Sequence, residues 1–191
     1  KLLLDKAKVG FFPTPFHPLK QLSKALGGPD IYIKRDDLTG LALGGNKTRK
    51  LNYLMAEALN QGCDTVITAG AAQSNHCRQT AAAAAQLGLD CHLVLGGEAP
   101  ELAQGNLLLD RLFNAEIHWA GENRKGEDIP QITDRLKSAG KKLKVIPYGG
   151  SDRIGARGFV DGFIELTNQV DIRGFSSIVF ASSSGGTHAG L

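Results

Sequence analysis

The sequence predicts an α/β protein with a parallel, doubly wound sheet covered by helices. Short apolar, β-branched runs alternate with helix-patterned segments along almost the whole chain, and the connections between them are short. Such βαβ alternation is typical of a parallel sheet whose strands are buried on both faces. No internal repeat and no low-complexity linker interrupts the pattern, so we expect a three-layer architecture.

The predicted elements follow one another in a regular order. Strands are expected at 30–37, 64–70, 91–97, 116–120, 143–150 and 176–186, the last as a buried strand that runs into a loop. Helices are expected from Asn46 onward and at 75–87, 103–114, 127–139 and 155–169. The glycines of the segment 147–158 (PYGGSDRIGARG) make it the expected place for a domain crossing.

The composition is that of an ordinary globular protein and excludes several functional classes. The net charge of +3 is too small to argue for a nucleic-acid partner. The longest apolar run, Ala81 to Ala85, is far shorter than a membrane span, so no membrane partner is expected. Cys63, Cys77 and Cys91 lack metal-ligand spacing, so we expect neither disulfides nor a metal site. Scattered thiols fit a reducing cytoplasm.

The segment from Gly44 to Leu51 (GGNKTRKL) places three cations, Lys47, Arg49 and Lys50, at the predicted start of a helix. A helix start carries about half a positive charge, so each cation there costs about 0.3–1 kcal/mol. An anion bound nearby would offset this repulsion, and the double glycine permits close approach of a ligand. In the alternative interpretation the last two cations point into solvent, where the cost is screened.

The helix that follows is predicted from its apolar spacing. Asn46 is a suitable N-cap, and Gly62 is a stop signal. A lysine at this helix start could react with a carbonyl group, because the positive helix end and the neighbouring Arg49 and Lys50 would lower the pKa of Lys47. The apolar face of the helix consists of Leu51, Leu54, Met55, Ala58 and Leu59.

Two common phosphate-binding motifs do not fit the sequence. A P-loop requires a glycine directly before its lysine, but Asn46 separates Gly45 from Lys47. A dinucleotide fingerprint requires GxGxxG, which the segment 182–190 (SSSGGTHAG) does not contain. Binding of a nicotinamide cofactor is therefore not expected.

The segment 182–190 does offer the groups of a phosphate-binding cup. Hydroxyl donors surround a glycine pair whose backbone amides converge at a predicted helix start. Beside a lysine that can react with a carbonyl, such a cup indicates pyridoxal phosphate, although a Ser/Gly turn that only caps a helix is the alternative. The predicted cup residues are Ser183, Ser184, Gly185, Gly186 and Thr187, preceded by Ser182.

A third cluster, Ser74, Asn75 and His76, lies between a predicted strand and an alanine-rich helix. In an α/β sheet this is the carboxyl end of a strand, where ligands are held. Exposed amides at the helix start and a hydroxyl group would hold a substrate carboxylate. The alternative is that Ser74 or Asn75 is a plain helix cap.

These three sites together resemble the D-cysteine desulfhydrase and 1-aminocyclopropane-1-carboxylate deaminase family. Its members are pyridoxal-phosphate enzymes of fold type II, the tryptophan-synthase-β-like fold. The resemblance covers nearly the whole chain, and its two longest stretches are the most specific. The stretches are PTPFHPL (13–19), IYIKRDDLTGLALGGNKTRKL (31–51), ITAGAAQSNHCRQTAAAAAQLGL (67–89), VIPYGGS (145–151) and SSIVFASSSGGTHAGL (176–191).

The resemblance implies a role for each candidate residue. Lys47 matches the Schiff-base lysine, and Lys50 matches a phosphate contact. Asn75 matches the asparagine that hydrogen-bonds the cofactor's ring hydroxyl. Ser74, together with Asn75 and His76, matches the substrate-carboxylate site, and its hydroxyl is also the candidate nucleophile or proton-transfer helper. The segment from Ser183 to Thr187 matches the phosphate cup.

The resemblance also implies two domains. A large pyridoxal-phosphate domain is expected from 1–50 and 158–191, and a smaller α/β domain from 51–157. The family's last part, with the group that faces the pyridine nitrogen and an active-site tyrosine, is expected after Leu191. A cytoplasmic homodimer that acts on a small amino acid is expected.

Within the family, two reactions remain open. D-cysteine desulfhydrases give pyruvate, ammonia and hydrogen sulfide, whereas the deaminases open a cyclopropane ring to give 2-oxobutanoate and ammonia. His76 favours the desulfhydrase, because the deaminases tend to have glutamine after Ser-Asn. A non-catalytic ligand-binding relative is a third interpretation, but it would not need Lys47, Ser74 and the cup together.

Overall fold

A computed structural model describes residues 6–191 of the chain. Thirteen regular elements within this range define the fold. In chain order they are β1 (Phe16–Pro18), α1 (Lys20–Leu26), β2 (Tyr32–Lys34), α2 (Lys47–Asn60), β3 (Thr65–Ala71), α3 (Asn75–Leu87), β4 (Asp90–Gly96), α4 (Gly105–Leu112), β5 (Glu116–Trp119), α5 (Ile129–Ser138), β6 (Leu143–Val145), α6 (Arg157–Gln169) and α7 (Gly186–Gly190).

The centre of the fold is a four-stranded sheet in the order β5-β4-β3-β6, with every pair of neighbouring strands parallel. One face carries Val66 and Leu93 and packs against the apolar sides of α2 and α3. The other face carries Ile67 and Val94 and packs against Ile132 of α5. Helices thus cover both faces of the sheet, and the predicted three-layer α/β architecture is confirmed.

Helix α3 spans the predicted residues because local sequence signals define both of its ends. Ser74 accepts a hydrogen bond from the Cys77 backbone N–H at 3.2 Å and so caps the start. Gly88 ends the helix with a φ of 72°, a left-handed conformation that suits glycine. Between them, Ala81 and Ala83 are completely buried, since small side chains let the helix approach the sheet closely.

The predicted strand 176–186 is not formed, and the predicted strands 30–37 and 143–150 are shorter than expected, the second ending at Val145. Residues 176–181 form no strand, and the Val179 side chain is 94% exposed. A strand needs a neighbour for its backbone hydrogen bonds, and within residues 6–191 no strand lies beside this segment. The predicted strand 30–37 is reduced to β2, because a 3₁₀ turn begins at Asp36. This short strand pairs antiparallel with β1.

The two glycines of the loop before α2 make room for neighbouring protein atoms and not for a ligand. A Cβ atom on Gly44 would lie 1.8 Å from the Asp37 carbonyl oxygen, and one on Gly45 would lie 2.5 Å from the Gln79 side chain. The predicted cap, Asn46, makes no side-chain capping bond. Gln79 replaces it by accepting a hydrogen bond of 2.9 Å from the Thr48 backbone N–H.

The far end of α2 follows the prediction more closely. The helix ends at Asn60, and Gly62 follows in a left-handed conformation with a φ of 66°. The predicted apolar face is buried as far as Ala58, whereas Leu59 is 40% exposed. The last turn of α2 therefore leaves the core before the helix stops.

Arg49 points inward and not into solvent, which contradicts one interpretation of the cations at the helix start. Its guanidinium donates to Asp36 at 2.7 and 2.8 Å and to Glu165 at 3.0 and 3.1 Å. Lys34 contacts the same Glu165 carboxylate, and the Thr14 backbone N–H donates to it at 2.8 Å. This network joins the N-terminal segment, α2 and α6.

The parallel sheet spans residues 65–145, inside the range 51–157 predicted for the smaller domain. The domain boundaries themselves stay a prediction, and the first five residues of the range 1–50 lie outside the described part. None of the helices found within residues 6–191 has the length and apolarity required to cross a membrane.

We expect Glu165→Gln to lower the free energy of unfolding by about 1.5–3 kcal/mol at pH 7, because Arg49 loses a charged hydrogen-bond partner. Burial alone would raise the pKa of Glu165, but hydrogen bonds from Arg49 and Lys34 lower it to about 2. The lowered pKa contributes stability above the ordinary pKa of about 4.5 that disappears as the pH falls toward about 2.

Urea unfolding of the parent and the variant between pH 7 and pH 2 measures this effect. The exposed Glu98→Gln variant is the matched control and should behave like the parent. A Glu165→Gln variant as stable as the parent at pH 7 would contradict the assigned role of the network.

Candidate active site

Lys47 is the first residue of α2 and is half-buried. Its Nζ lies 3.5 Å from the Asn46 side-chain oxygen, at the limit of a hydrogen bond. Burial lowers the pKa of Lys47 below its usual value. The lowered pKa predicted from the sequence is confirmed. Its cause is burial and not the charge of Arg49, because two carboxylates compensate that charge. The amine of Lys47 thus loses its proton more easily than an exposed lysine.

Lys50 lies one turn further along α2, and its side chain is almost completely buried. Its Nζ donates to the Ser151 hydroxyl at 2.8 Å and to the Gly149 carbonyl at 3.1 Å. Within residues 6–191, no carboxylate forms an ion pair with it. Burial, followed by repulsion from Lys47, lowers the pKa of Lys50 to about 8. The charge of nearby Asp152 opposes this shift but forms no ion pair with Lys50. A buried ammonium group whose hydrogen-bond partners are neutral favours binding of an anion.

The predicted cup lies against this ammonium group. The Ser184 hydroxyl is 2.6 Å from the Ser151 hydroxyl, which also accepts from Lys50. A Cβ atom on Gly186 would lie 2.8 Å from the Lys50 Nζ, so only glycine leaves this space free. Gly185 precedes α7 with a φ of 79°. Hydroxyl groups, an ammonium group and a glycine-lined space thus meet at one point.

Asn75 is the first residue of α3, and its amide group is oriented by two neighbours. Its Oδ1 accepts hydrogen bonds from the Arg78 guanidinium at 3.0 Å and from the Asn106 amide at 2.9 Å. Because both donors occupy the oxygen, the two N–H groups of the Asn75 amide are left to donate elsewhere. Arg78 is held in turn by the Gly44 carbonyl at 2.6 Å.

His76 is buried and neutral. Burial, followed by the charges of Lys47 and Lys50, lowers its pKa to about 3. Its Nε2 lies 2.9 Å from the Thr68 hydroxyl, which itself donates to the Ile146 carbonyl. The hydroxyl has only one proton, so His76 Nε2 must carry the proton of the imidazole ring. His76 Nδ1 therefore bears a lone pair, and this atom has no partner in the described chain.

One pocket of about 180 Å³ collects these groups at the carboxyl end of β3. A larger cavity of about 410 Å³ near Phe11 and Phe113 is mainly apolar and gathers no comparable set of polar groups. A second larger cavity, of about 310 Å³, is lined by charged groups such as Arg49 and Glu165, which pair with each other. The smaller pocket is therefore the one in which the predicted site residues meet. Its lining consists of Lys47, Ala69, Ser74, Asn75, His76, Tyr148, Gly149, Ser183 and Ser184.

The structure brings most of the predicted site residues together. Lys47, Ser74, Asn75, His76, Ser183 and Ser184 line the pocket, and Lys50 and Gly186 meet beside it. Thr187 lies in α7 without a side-chain hydrogen bond to another described residue.

Tyr148 and Ser151 also belong to the site but are not among the residues predicted from the sequence. Both lie in the glycine-rich segment 147–158, where the sequence signals a chain crossing but not which side chain turns inward. The glycines at 149 and 150 have a φ of 63° each, and this tight turn places Ser151 against Lys50.

The groups present fit pyridoxal phosphate. A buried ammonium group without a carboxylate partner suits the phosphate, and a half-buried amine with a lowered pKa suits the aldehyde. The fold and this donor set define the class of protein. The chain belongs to the family of pyridoxal-phosphate dependent enzymes, which matches residues 8–191.

The chain is also similar to curated proteins over most of its length. The chain is 48% identical to D-cysteine desulfhydrase of Salmonella choleraesuis (strain SC-B67) over 186 residues, which cover 94% of this chain and 56% of the relative. The D-cysteine desulfhydrase of Salmonella paratyphi B (strain ATCC BAA-1250 / SPB7) shows the same identity and coverage. The chain thus spans a little over half the length of the curated relatives it matches.

Solved structures agree on the fold. A crystal structure of an ACC deaminase homologue matches with a TM-score of 0.91 at 43% identity, over 98% of this chain and 57% of that one. A pyridoxal 5'-phosphate-dependent aspartate racemase matches with a TM-score of 0.70 at 21% identity, over 93% of this chain and 51% of that one. The second match shows the shared fold alone. The fold-type-II expectation is confirmed.

We expect Lys50→Met to weaken the affinity for pyridoxal phosphate by at least about tenfold, because a lost hydrogen bond to a charged group costs about 1.5–3 kcal/mol. Fluorescence titration of the purified protein with the cofactor measures the affinity. Lys142→Met, which replaces an exposed lysine before β6, is the control and should bind like the parent. Equal affinity in the parent and Lys50→Met would mean that Lys50 makes no phosphate contact.

Proposed function

We propose that the protein catalyses α,β-elimination of D-cysteine, converting D-cysteine and water into pyruvate, hydrogen sulfide and ammonia. One observation carries the proposal: the reactive lysine, the start of α3 and the cup meet in a single pocket. The 48% identity to D-cysteine desulfhydrases supports the choice of substrate. A non-catalytic binding protein would not need this combination.

Pyridoxal phosphate, when bound, withdraws electrons from the α-carbon of an amino acid and so weakens the bonds to that atom. Lys47 would hold its aldehyde group, and Lys50 with the cup from Ser183 to Thr187 would hold its phosphate. Asn75 would donate to its ring hydroxyl through the N–H groups that Arg78 and Asn106 leave free.

The same residues would handle the substrate. Ser74 accepts a hydrogen bond from the Cys77 backbone through its oxygen, which leaves its hydroxyl proton to donate to the substrate carboxylate. The backbone amides of Asn75 and His76 at the start of α3 would donate to the same carboxylate. The Lys47 amine, once replaced by the substrate's amine, would remove the α-proton, since burial already lowers its pKa.

His76 has a narrower role than that of a general base. Its pKa of about 3 means that the imidazole stays neutral and binds protons poorly. The lone pair on Nδ1 would accept a hydrogen bond from a substrate or from a cofactor group inside the pocket. This property separates His76 from Lys47, which remains the proposed base.

A second candidate function is 1-aminocyclopropane-1-carboxylate deaminase, which would give 2-oxobutanoate and ammonia. The observation in its favour is the TM-score of 0.91 with the ACC deaminase homologue. Both reactions would use the same lysine and carboxylate site, so the choice depends on how the substrate side chain is bound.

We further propose that the protein acts as a homodimer in the cytoplasm. All three cysteines are buried and free, which supports a reducing compartment. The proposal of a dimer rests on the resemblance to the family. Size-exclusion chromatography with light scattering would measure the molar mass in solution and so test it.

We expect Lys47→Ala to keep the fold and lose both turnover and the covalent link to the cofactor. Borohydride reduction followed by peptide mass mapping should place the cofactor on the peptide that contains Lys47 in the parent. The exposed Lys24→Ala variant is the control and should carry the cofactor like the parent. Turnover at the parent rate in Lys47→Ala would overturn the assignment.

We expect sulfide and pyruvate from D-cysteine, with little from L-cysteine, and a raised KM in Ser74→Ala because the carboxylate loses a donor. A lowered kcat as well would indicate that the hydroxyl also handles protons. A side-by-side assay of the purified protein with D-cysteine and 1-aminocyclopropane-1-carboxylate measures which of the two substrates is turned over. The exposed Ser138→Ala variant is the control for Ser74→Ala. Turnover of the cyclopropane substrate alone would overturn the desulfhydrase proposal.

A further inference from the structure

Three side chains with metal-binding atoms meet on the sheet face that α5 covers. His92 lies on β4, and Glu116 and His118 lie on β5. The parallel register pairs His92 with Glu116, and residues two apart on a strand point to the same face. The sequence pattern does not show this juxtaposition, because it depends on which strands become neighbours.

The distances between the donor atoms suit a bound ion. His92 Nδ1 lies 2.9 Å from His118 Nε2 and 3.6 Å from a Glu116 carboxylate oxygen, and His118 Nε2 lies 3.5 Å from the other oxygen. Metal bonds of about 2.0–2.1 Å in a tetrahedral site place neighbouring donors about 3.3–3.4 Å apart. The three observed separations bracket this value.

The local charges permit a cation at this point. A ring nitrogen of each imidazole faces the cluster, Nδ1 of His92 and Nε2 of His118. The Glu116 carboxylate supplies a negative charge. Nearby Lys141 is paired with Asp90 at 2.6 Å. The exposed Arg135 of α5 is then the nearby positive charge that opposes binding of a cation.

The cluster is separate from the candidate active site. It occupies the sheet face that packs against α5, whereas α2, which begins at Lys47, and α3, which Ser74 caps, pack on the opposite face. The three cysteines, which would compete for the same ions, are all buried away from solvent. This cluster is also the one potential metal-binding group of three found among residues 6–191.

We propose that His92, Glu116 and His118 bind a divalent transition-metal ion of the zinc class and thereby link β5 to β4. Two imidazoles and one carboxylate are a donor set that suits Zn²⁺ and leaves room for water, whereas Mg²⁺ and Ca²⁺ prefer oxygen ligands alone. The ion replaces the hydrogen bond between the two imidazoles. The ring that donates this bond shifts its proton to its other nitrogen, so binding releases no proton.

Zinc binding to the purified, cofactor-loaded protein tests this proposal. After treatment with a chelator and dialysis, the protein is titrated with Zn²⁺ against a chromophoric competitor, and bound zinc is measured by mass spectrometry. We expect one Zn²⁺ per chain and a higher melting temperature in its presence, because an ion that binds only the folded state stabilises it.

Two variants and a control make the test specific. Glu116→Gln and His118→Asn should weaken zinc binding by at least about tenfold, since even residues that only orient metal ligands contribute about 10–100-fold. Glu116 is 63% exposed, so its replacement should leave the fold and the cofactor content unchanged. His17→Asn, which changes a histidine on β1, should bind zinc like the parent.

Two results would overturn the proposal. One is a parent protein that binds no more zinc than His118→Asn does. The other is equal zinc affinity in the parent, Glu116→Gln and His118→Asn, which would place the ion elsewhere on the protein.

Discussion

The candidate site depends on a buried ammonium group, that of Lys50, which has no carboxylate partner within residues 6–191. The start of α2 buries a second cation, Arg49, but Asp36 and Glu165 neutralise it. The two residues are neighbours in sequence and differ in what surrounds them: Arg49 contacts carboxylates, whereas Lys50 contacts a hydroxyl and a carbonyl. Arg49 therefore anchors the helix, and Lys50 provides a charge that an anion can satisfy.

The remaining groups are placed by the same sheet and helices. The carboxyl end of β3 leads directly into α3, so Ser74 and Asn75 face the start of α2 across the pocket. The orientation of the Asn75 amide depends on Arg78, whose guanidinium also reaches the loop before α2 at the Gly44 carbonyl. The loop, the helix start and the amide are thus coupled by hydrogen bonds.

The sequence was sufficient where the signals are local. It predicted α3 because Ser74 and Gly88 define its ends, and it predicted the strands of the parallel sheet from their apolar runs. It could not predict contacts between distant segments: the partners of Arg49 lie up to 116 residues away, and Ser151 reaches Lys50 across 101 residues. The strand expected at 176–186 fails for the same reason, since an apolar run becomes a strand only beside a neighbour.

NMR of the isotope-labelled lysine side chain would measure the pKa of Lys50 and so test whether its ammonium group is held ready for an anion. Lys50→Arg serves to assign the signal. We expect a pKa near 8 without ligand, because burial and Lys47 disfavour the charged form. With pyridoxal phosphate we expect a higher pKa, because the phosphate stabilises that form. An ordinary pKa without ligand, or a pKa that the cofactor leaves unchanged, would contradict the claim that Lys50 is held ready for an anion.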